Sequence, residues 1–363
     1  MSDTSYERPN IRAMQGYTWG EQPEDGKTIK LNTNENPYPP SPAVNQALTE
    51  ISVERLRVYP QPTADPLRDL IASHHDLARD NVIVTNGGDE GLRLALTTFV
   101  EPQAGFGMAS PSYSLYPVLA QIQDARVVEV PLQSDWHMPE DFAQRLNDTG
   151  VQLTCVVNPH APSGTLYDTD TLAELARALD GVLLIDEAYA DFIDPAIGYD
   201  SSTLLAEHDN VLILRTFSKG YSLAGLRLGY LLGAENLITP LVQKTRDSYN
   251  MDHISQALGY AAFADQDYAK DTWSKVRADR VQLQQNLGQL GLSSPDSHSN
   301  FLLATVSPDA PLSAQEIYSR LKQDGILVRY FNTPELADKL RISIGTPEQN
   351  QQLLTQLSSY LNT

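Results

Sequence analysis

Four apolar runs in this 363-residue chain each stop at side chains that can do chemistry. NVIVT (81–85) runs into Asn86-Gly-Gly-Asp-Glu90, and VQLTCVV (151–157) into Asn158-Pro-His-Ala-Pro-Ser-Gly164. GVLLI (181–185) runs into Asp186-Glu-Ala-Tyr189, and VLILRTF (211–217) into Ser218-Lys219. Singly, each has an ordinary reading. Asn158-Pro159 is a turn signal, Asp186-Glu187 a helix cap or a magnesium-binding pair, Gly87-Gly88-Asp89 a turn with a cap, and Lys219 a surface lysine. Together they ask for one ligand, with an aldehyde for the amine, a protonated ring nitrogen for the carboxylate, a phenolate oxygen for the amide and phenol, and an anion for the glycine-rich helix start. Pyridoxal 5'-phosphate carries all four. A lysine tuned by its site condenses with the aldehyde, and a carboxylate at the pyridine nitrogen makes the ring an electron sink. Gly88 and Asp89, opening the helical pattern DEGLRLAL, present backbone N–H groups and a positive helix end to the phosphate, with Ser218 and Arg227 completing the cradle.

Rival motifs fail on spacing. Gly20-Glu-Gln-Pro-Glu-Asp-Gly-Lys-Thr28 approaches a P-loop, but its glycines stand one residue too far apart and no apolar strand precedes it. Gly105-Phe-Gly-Met-Ala-Ser110 starts like a dinucleotide fingerprint, then lacks its third glycine and meets Pro111 in place of a helix. The seven histidines form no HExxH or Cys/His cluster, so no metal site is expected; His74, His75, His137, His208 and His253 read as surface or structural.

The elements that must position these groups alternate. From about residue 43, helical patterns such as AVNQALTEI, PLRDLIASHH and DTLAELARALD lie between short strands that are apolar throughout, which suits strands covered on both faces. The expected fold is α/β, a mostly parallel central sheet with helices on both faces. Functional groups then collect beyond the carboxyl ends of the strands. After about residue 265 the texture becomes a smaller α+β layer: a long polar helix, SNFLLATV, a helix through EIYSRLKQDG, and strands ILVRYF and KLRISIG. The expected division is an arm at 1–42 belonging to the small domain, a large domain at 43–265, and a small one at 266–363.

Composition supports this reading without deciding it. Hydrophobic residues make up 41% and charged ones 20%, and no window approaches the run of about 18 apolar residues that a membrane helix needs. A formal charge of −20 argues against nucleic acid as a partner. The single cysteine, Cys155, cannot form an intramolecular disulfide, and MSDTSYERPN has neither a basic nor an apolar leader segment, so a cytoplasmic protein is expected.

With SKGY (218–221), AGLRLG (224–229) and Asp186…Tyr189 in view, the chain resembles the fold-type-I pyridoxal-phosphate aminotransferases of the class-II group. Supporting stretches span nearly its whole length: LNTNENPY (31–38), Tyr59-Pro60, TNGGDEGL (85–92), SPSYSLY (110–116), NPHAPSGT (158–165), IDEAYADF (185–192) and LRISIGTPEQN (340–350). Within the group it looks like the branch that acts on histidinol phosphate. The resemblance implies that Lys219 bonds to the cofactor and shuttles the substrate's proton, Asp186 pairs with the pyridine nitrogen, and Asn158 and Tyr189 hydrogen-bond the ring oxygen. Tyr113 would stack on the ring, while Gly88, Asp89, Ser218 and Arg227 hold the phosphate. It also implies a homodimer in which Tyr59 reaches the neighbouring subunit's phosphate. Arg341 matches the substrate-anion arginine, and Arg329, Tyr17 and Asn34 are expected beside it. The implied reaction is ping-pong: L-histidinol phosphate and 2-oxoglutarate giving imidazole-acetol phosphate and L-glutamate. Aromatic amino-acid transamination, or decarboxylation of a phosphorylated amino acid, are the alternatives; a cofactor-binding regulatory module lacks a DNA-binding helix-turn-helix. One departure stands out: the group's NPNNPTG reads NPHAPSG here, placing His160 and Ala161 near the expected entrance.

Overall fold

The computed structural model describes residues 6–23 and 25–361. Strands are numbered along the chain from β1 (Ile29–Lys30). Seven of them form the central sheet: β2 (Val82–Thr85), β3 (Gly105–Ser110), β4 (Arg126–Pro131), β5 (Val151–Val157), β6 (Val182–Asp186), β7 (Val211–Thr216) and β8 (Gly229–Gly233), in the order β2-β8-β7-β6-β5-β3-β4. All pairings are parallel except those of β8, which runs opposite to both neighbours. Because β8 reverses twice over, β2 points the same way as β7. The carboxyl ends of β2, β5, β6 and β7 therefore share one rim, where the four chemical runs stop.

Successive residues of a strand face opposite sides of its sheet, and here both sides are packed. Ile83, Leu184, Leu212 and Leu231 belong to one buried cluster, while Val82, Val84, Leu183, Ile185, Val211 and Ile213 belong to the other. Each such side chain, withdrawn from water, contributes roughly 1.5–3 kcal/mol. Hence the apolar runs lack alternation. Three strands, GFGMAS, RVVEVP and GYLLG, have no such run in the sequence reading. In β3 the glycines answer a packing demand, since a Cβ on Gly107 would lie 2.9 Å from Leu146 Cδ2.

The smaller layer holds β9 (Leu292–Ser293), β10 (Phe301–Val306), β12 (Arg329–Tyr330) and β13 (Lys339–Ser343), antiparallel in the order β12-β13-β10-β9. The run ILVRYF divides. Its first half, β11 (Ile326–Leu327), pairs with β1, and its second half joins β13. The long helix spans Gln266–Gln289, with Asp265 accepting from Tyr268 N at its start. The opening segment is not wholly loop: it carries a helix at Pro9–Ala13 besides β1. Among the described residues no helix is long and apolar enough to cross a membrane.

Candidate functional site

A cavity of about 420 Å³ lies between the rim of the central sheet and the smaller layer. Into it the strand ends deliver Lys219, Ser218, Asp186, Tyr189, Gly88 and Asp89. The Lys219 ammonium donates to the Thr33 carbonyl at 2.7 Å. Burial lowers its pKa to about 8, against the opposing pull of Glu35, so a neutral amine is available close to physiological pH. Asp186 ends β6 and is buried. Its Oδ2 accepts from the Tyr116 hydroxyl at 2.7 Å and its Oδ1 from Ala188 N at 3.1 Å. Burial raises this carboxyl to about 6.

The helix Gly87–Phe99 begins at the rim, where two glycines precede Asp89. Gly87 has φ +73°, and a Cβ there would stand 2.7 Å from Arg227 Nη2. Arg227 itself adopts φ +57°. Its guanidinium donates to Asp89 Oδ2 at 3.0 Å and to Ser218 Oγ at 3.5 Å. Free backbone N–H groups, a hydroxyl and a guanidinium thus converge, which is a place for an anion. The Asp89 carboxylate is paired with Arg227, so what this residue can offer an anion is its backbone N–H. Tyr113 lines the same cavity, set edge-on to Tyr17 at 5.9 Å between ring centres.

From the smaller layer come Arg341 and Arg329, directly opposite one another across β13 and β12. Like charges so placed repel, and among the described residues neither forms an ion pair with a carboxylate. Arg341 is buried. It donates through Nη2 to Asn32 O at 2.8 Å, lies against Phe301 and Phe331, and leaves Nε without a hydrogen-bond partner among the described residues. Asn34 Nδ2 donates to the Tyr189 hydroxyl at 3.1 Å, and its Oδ1 accepts from Ser343. A partly buried amine and a pair of guanidiniums without carboxylate partners among the described residues therefore share one cavity, an arrangement suited to an anion.

Two expected site residues lie elsewhere. Asn158 is fully buried, but its Nδ2 donates to Tyr167 O and the Tyr199 hydroxyl and its Oδ1 accepts from Tyr167 N, at 2.9–3.0 Å. With its amide used to pin the following loop, Asn158 does not line the cavity; the methyl of Ala161 does. The expectation that Asn158 touches a ring oxygen is corrected accordingly. Tyr59 is 78% exposed and stacks on Tyr249 at 4.4 Å, away from its own chain's cavity. His160 is not at an entrance. It is buried between Ser163 Oγ (2.7 Å) and Pro111 O (3.0 Å), and burial lowers its pKa to about 4, so it is a neutral loop anchor.

Sequence reasoning missed Tyr116, Thr33, Glu35 and Phe331. Tyr116 had a signal only in its place three residues after Tyr113, at the start of the helix Leu115–Ile122. Thr33 had none, because it acts through a carbonyl. A larger hollow of about 760 Å³ is lined by Arg215 on the other face of β7. There Arg215 pairs with Glu187 at 2.5 Å and Asp191 at 3.6 Å, so its buried charges already satisfy one another.

Residues 26–357 match the family model described as aminotransferase class I and II. The chain is 43% identical over 359 residues to a histidinol-phosphate aminotransferase of Trichormus variabilis, covering 99% of each chain. It is 42% identical over 361 residues to one of Nostoc, again covering 99% of each. Among solved structures it superposes on histidinol-phosphate aminotransferase from Sinorhizobium meliloti in complex with pyridoxal-5'-phosphate, with a TM-score of 0.90, 26% identity and 99% of each chain covered.

Proposed function

This chain belongs to the aminotransferase class I and II family, and from that membership we infer its reaction. It is a pyridoxal-phosphate-dependent transaminase, and its proposed reaction is L-histidinol phosphate with 2-oxoglutarate giving imidazole-acetol phosphate and L-glutamate. The residues present fit the cofactor. Lys219 is an amine of depressed pKa, Asp186 is a buried carboxylate, and the space beside Gly87 is one a Cβ would fill. Lys219, Asp186, Tyr189, Tyr113, Gly88, Asp89, Ser218 and Arg227 are proposed to hold it. Asn158 is left out.

When bound, the cofactor supplies an aldehyde that accepts an amino group and a ring that delocalises the electron pair left at the substrate's Cα. The chain does the rest. Lys219 Nζ, once freed, takes the proton from Cα. Asp186, ionised, holds the ring nitrogen's proton. Tyr189, itself fixed by Asn34, donates to the ring oxygen. Tyr17, Asn34, Arg329 and Arg341 bind the substrate, and the facing arginines orient its anionic end.

The observation that carries the phosphate-ester substrate is that arginine pair, uncompensated beside the amine. A guanidinium pair suits a phosphate dianion, and one fork also grips the carboxylate of glutamate. Purified holoenzyme mixed with histidinol phosphate should convert the cofactor's aldehyde absorption to the amine form, and 2-oxoglutarate should restore it. If phenylalanine or tyrosine reacts faster in the first half, the aromatic alternative takes its place.

The assembly is proposed to be a homodimer in which Tyr59 completes the neighbouring site. Val53, Leu56, Val58, Tyr59, Tyr249 and Tyr260 are all exposed, a concentration of apolar side chains that a subunit contact would cover. A reducing, cytoplasmic setting agrees with a lone, buried thiol at Cys155. The proposed domain division remains 1–42 with 266–363, and 43–265.

A further inference from the structure

Tyr116 has no part in the reaction as derived so far, yet its hydroxyl is one of two groups fixing Asp186. It lies in the helix Leu115–Ile122 and is 1% exposed. The hydroxyl donates to Asp186 Oδ2 at 2.7 Å, while Ala188 N donates to Oδ1 at 3.1 Å. Each carboxylate oxygen offers about two acceptor positions, so one on each oxygen is filled from the protein and one is left toward the cavity that Asp186 lines. Tyr113, three residues earlier in the turn that leads into this helix, meets the Tyr116 ring edge-on at 5.4 Å, so cavity wall and carboxylate are braced by adjoining tyrosines.

We propose that Tyr116 is a positioning residue for the cofactor's acidic partner, acting on the ring nitrogen through Asp186. The inference rests on the reading that Asp186 faces that nitrogen. The groups that act on the carboxyl are Tyr116, Cys155 on β5, Asp89 from the rim helix, and Glu187 and Tyr189 that follow β6. None of these is a cation. Burial raises the Asp186 pKa, and the Asp89 and Glu187 carboxylates push the same way, so the two hydrogen bonds are what offset them. Removing one must raise the carboxyl further. Its sign follows: the neutral acid gains population from higher pH, and the nitrogen loses its charged partner there.

The test is a pH series of cofactor retention by the holoenzyme, read by absorbance after equilibrium filtration, for Tyr116→Phe, Asp186→Asn and the double variant. A hydrogen bond to an ionised group is worth about one to two pKa units. Tyr116→Phe should therefore move the acid limb of retention up by about one unit, weakening binding about tenfold on that limb below about pH 6 and only about twofold at pH 7, with a melting temperature close to the parent's. In the Asp186→Asn background the same change should move nothing, since the group it acts through is gone. Equal effects in both backgrounds would overturn the proposal and leave Tyr116 as core packing. An equal shift from Phe106→Leu, which disturbs the packing of the Tyr116 ring but leaves its hydroxyl, would overturn it too. Retention unchanged by Asp186→Asn alone would instead sink the reading of Asp186.

Discussion

Arg329→Gln tests the anion site most directly. Arg329 and Arg341 face each other across an antiparallel pair, a placement that sets Cβ atoms about 5 Å apart. An anion in contact with a guanidinium lies about 4 Å from its charge, where at an effective dielectric constant of about 20 one unit-charge interaction amounts to about 4 kcal/mol. A phosphate dianion held by both guanidiniums feels two such attractions from Arg329, a carboxylate one. Arg329 is only half-buried, so solvent removes much of the Coulomb figure, and the net loss falls in the range of a charged hydrogen bond, about 2–3 kcal/mol for the phosphate ester. That converts to a fall in kcat/KM of about 30- to 150-fold with histidinol phosphate. With glutamate the loss should be several-fold only, moderated further because Arg341 is relieved of a like charge that lowers its pKa. Single-turnover absorbance changes of the holoenzyme with each substrate separate the two. Equal losses, or a larger loss with glutamate, would refute the shared anion site.

Cofactor capture by cofactor-free protein should accelerate as pH rises, reach half its limit near pH 8 and level off about one unit above, because the neutral Lys219 amine is the nucleophile and burial has lowered its pKa to about 8; stopped-flow absorbance with its midpoint near pH 10 would contradict this. Asn158→Ala strips the partners from buried groups of Tyr167 and Tyr199, so thermal melting should report a loss of about 3–5 kcal/mol, whereas the bound cofactor's absorption maximum should not move. Gly220→Ala would bring a Cβ to 2.1 Å from Asp191 Oδ2 and 2.8 Å from its Cβ; the displacement passes to the adjoining Lys219, and kcat should fall at least tenfold. Parent-like turnover in that variant would show that the loop absorbs the strain elsewhere.

The strands that carry the site were legible because covering both faces leaves uninterrupted apolar runs, and the chemistry stands where each run stops. β3 and β8 were not, since their glycines answer close neighbours and not a period. Lys219 and Asp186 were readable because charged groups beside core strands need a reason to be there, and Arg227 because it follows the lysine within one loop, whereas Arg341 and Arg329 came only from the family resemblance, and nothing in the sequence announced that they face each other. Asn158 misled because side-chain direction after a strand is set by the turn that follows. At this turn the amide closes on Tyr167, and the cavity wall falls to Ala161. The Thr33 carbonyl was invisible in principle, as every residue has one.

LNTNENPY, a stretch of eight residues, is held by both sheets at once. Thr33 O receives Lys219, Asn32 O receives Arg341, Asn34 meets Tyr189 and Ser343, and Asn300 donates to Asn34 O. Two of those partners lie 186 and 309 residues further along the chain. Synthesis therefore produces the lysine long before the arginine that shares its cavity. Closing so long a loop adds little to the thermodynamic cost of folding, but contacts this remote are made late. A nascent chain ending short of residue 341 already carries its reactive amine but lacks the arginine that closes the far side of its cavity and the strand that holds Arg329 opposite it.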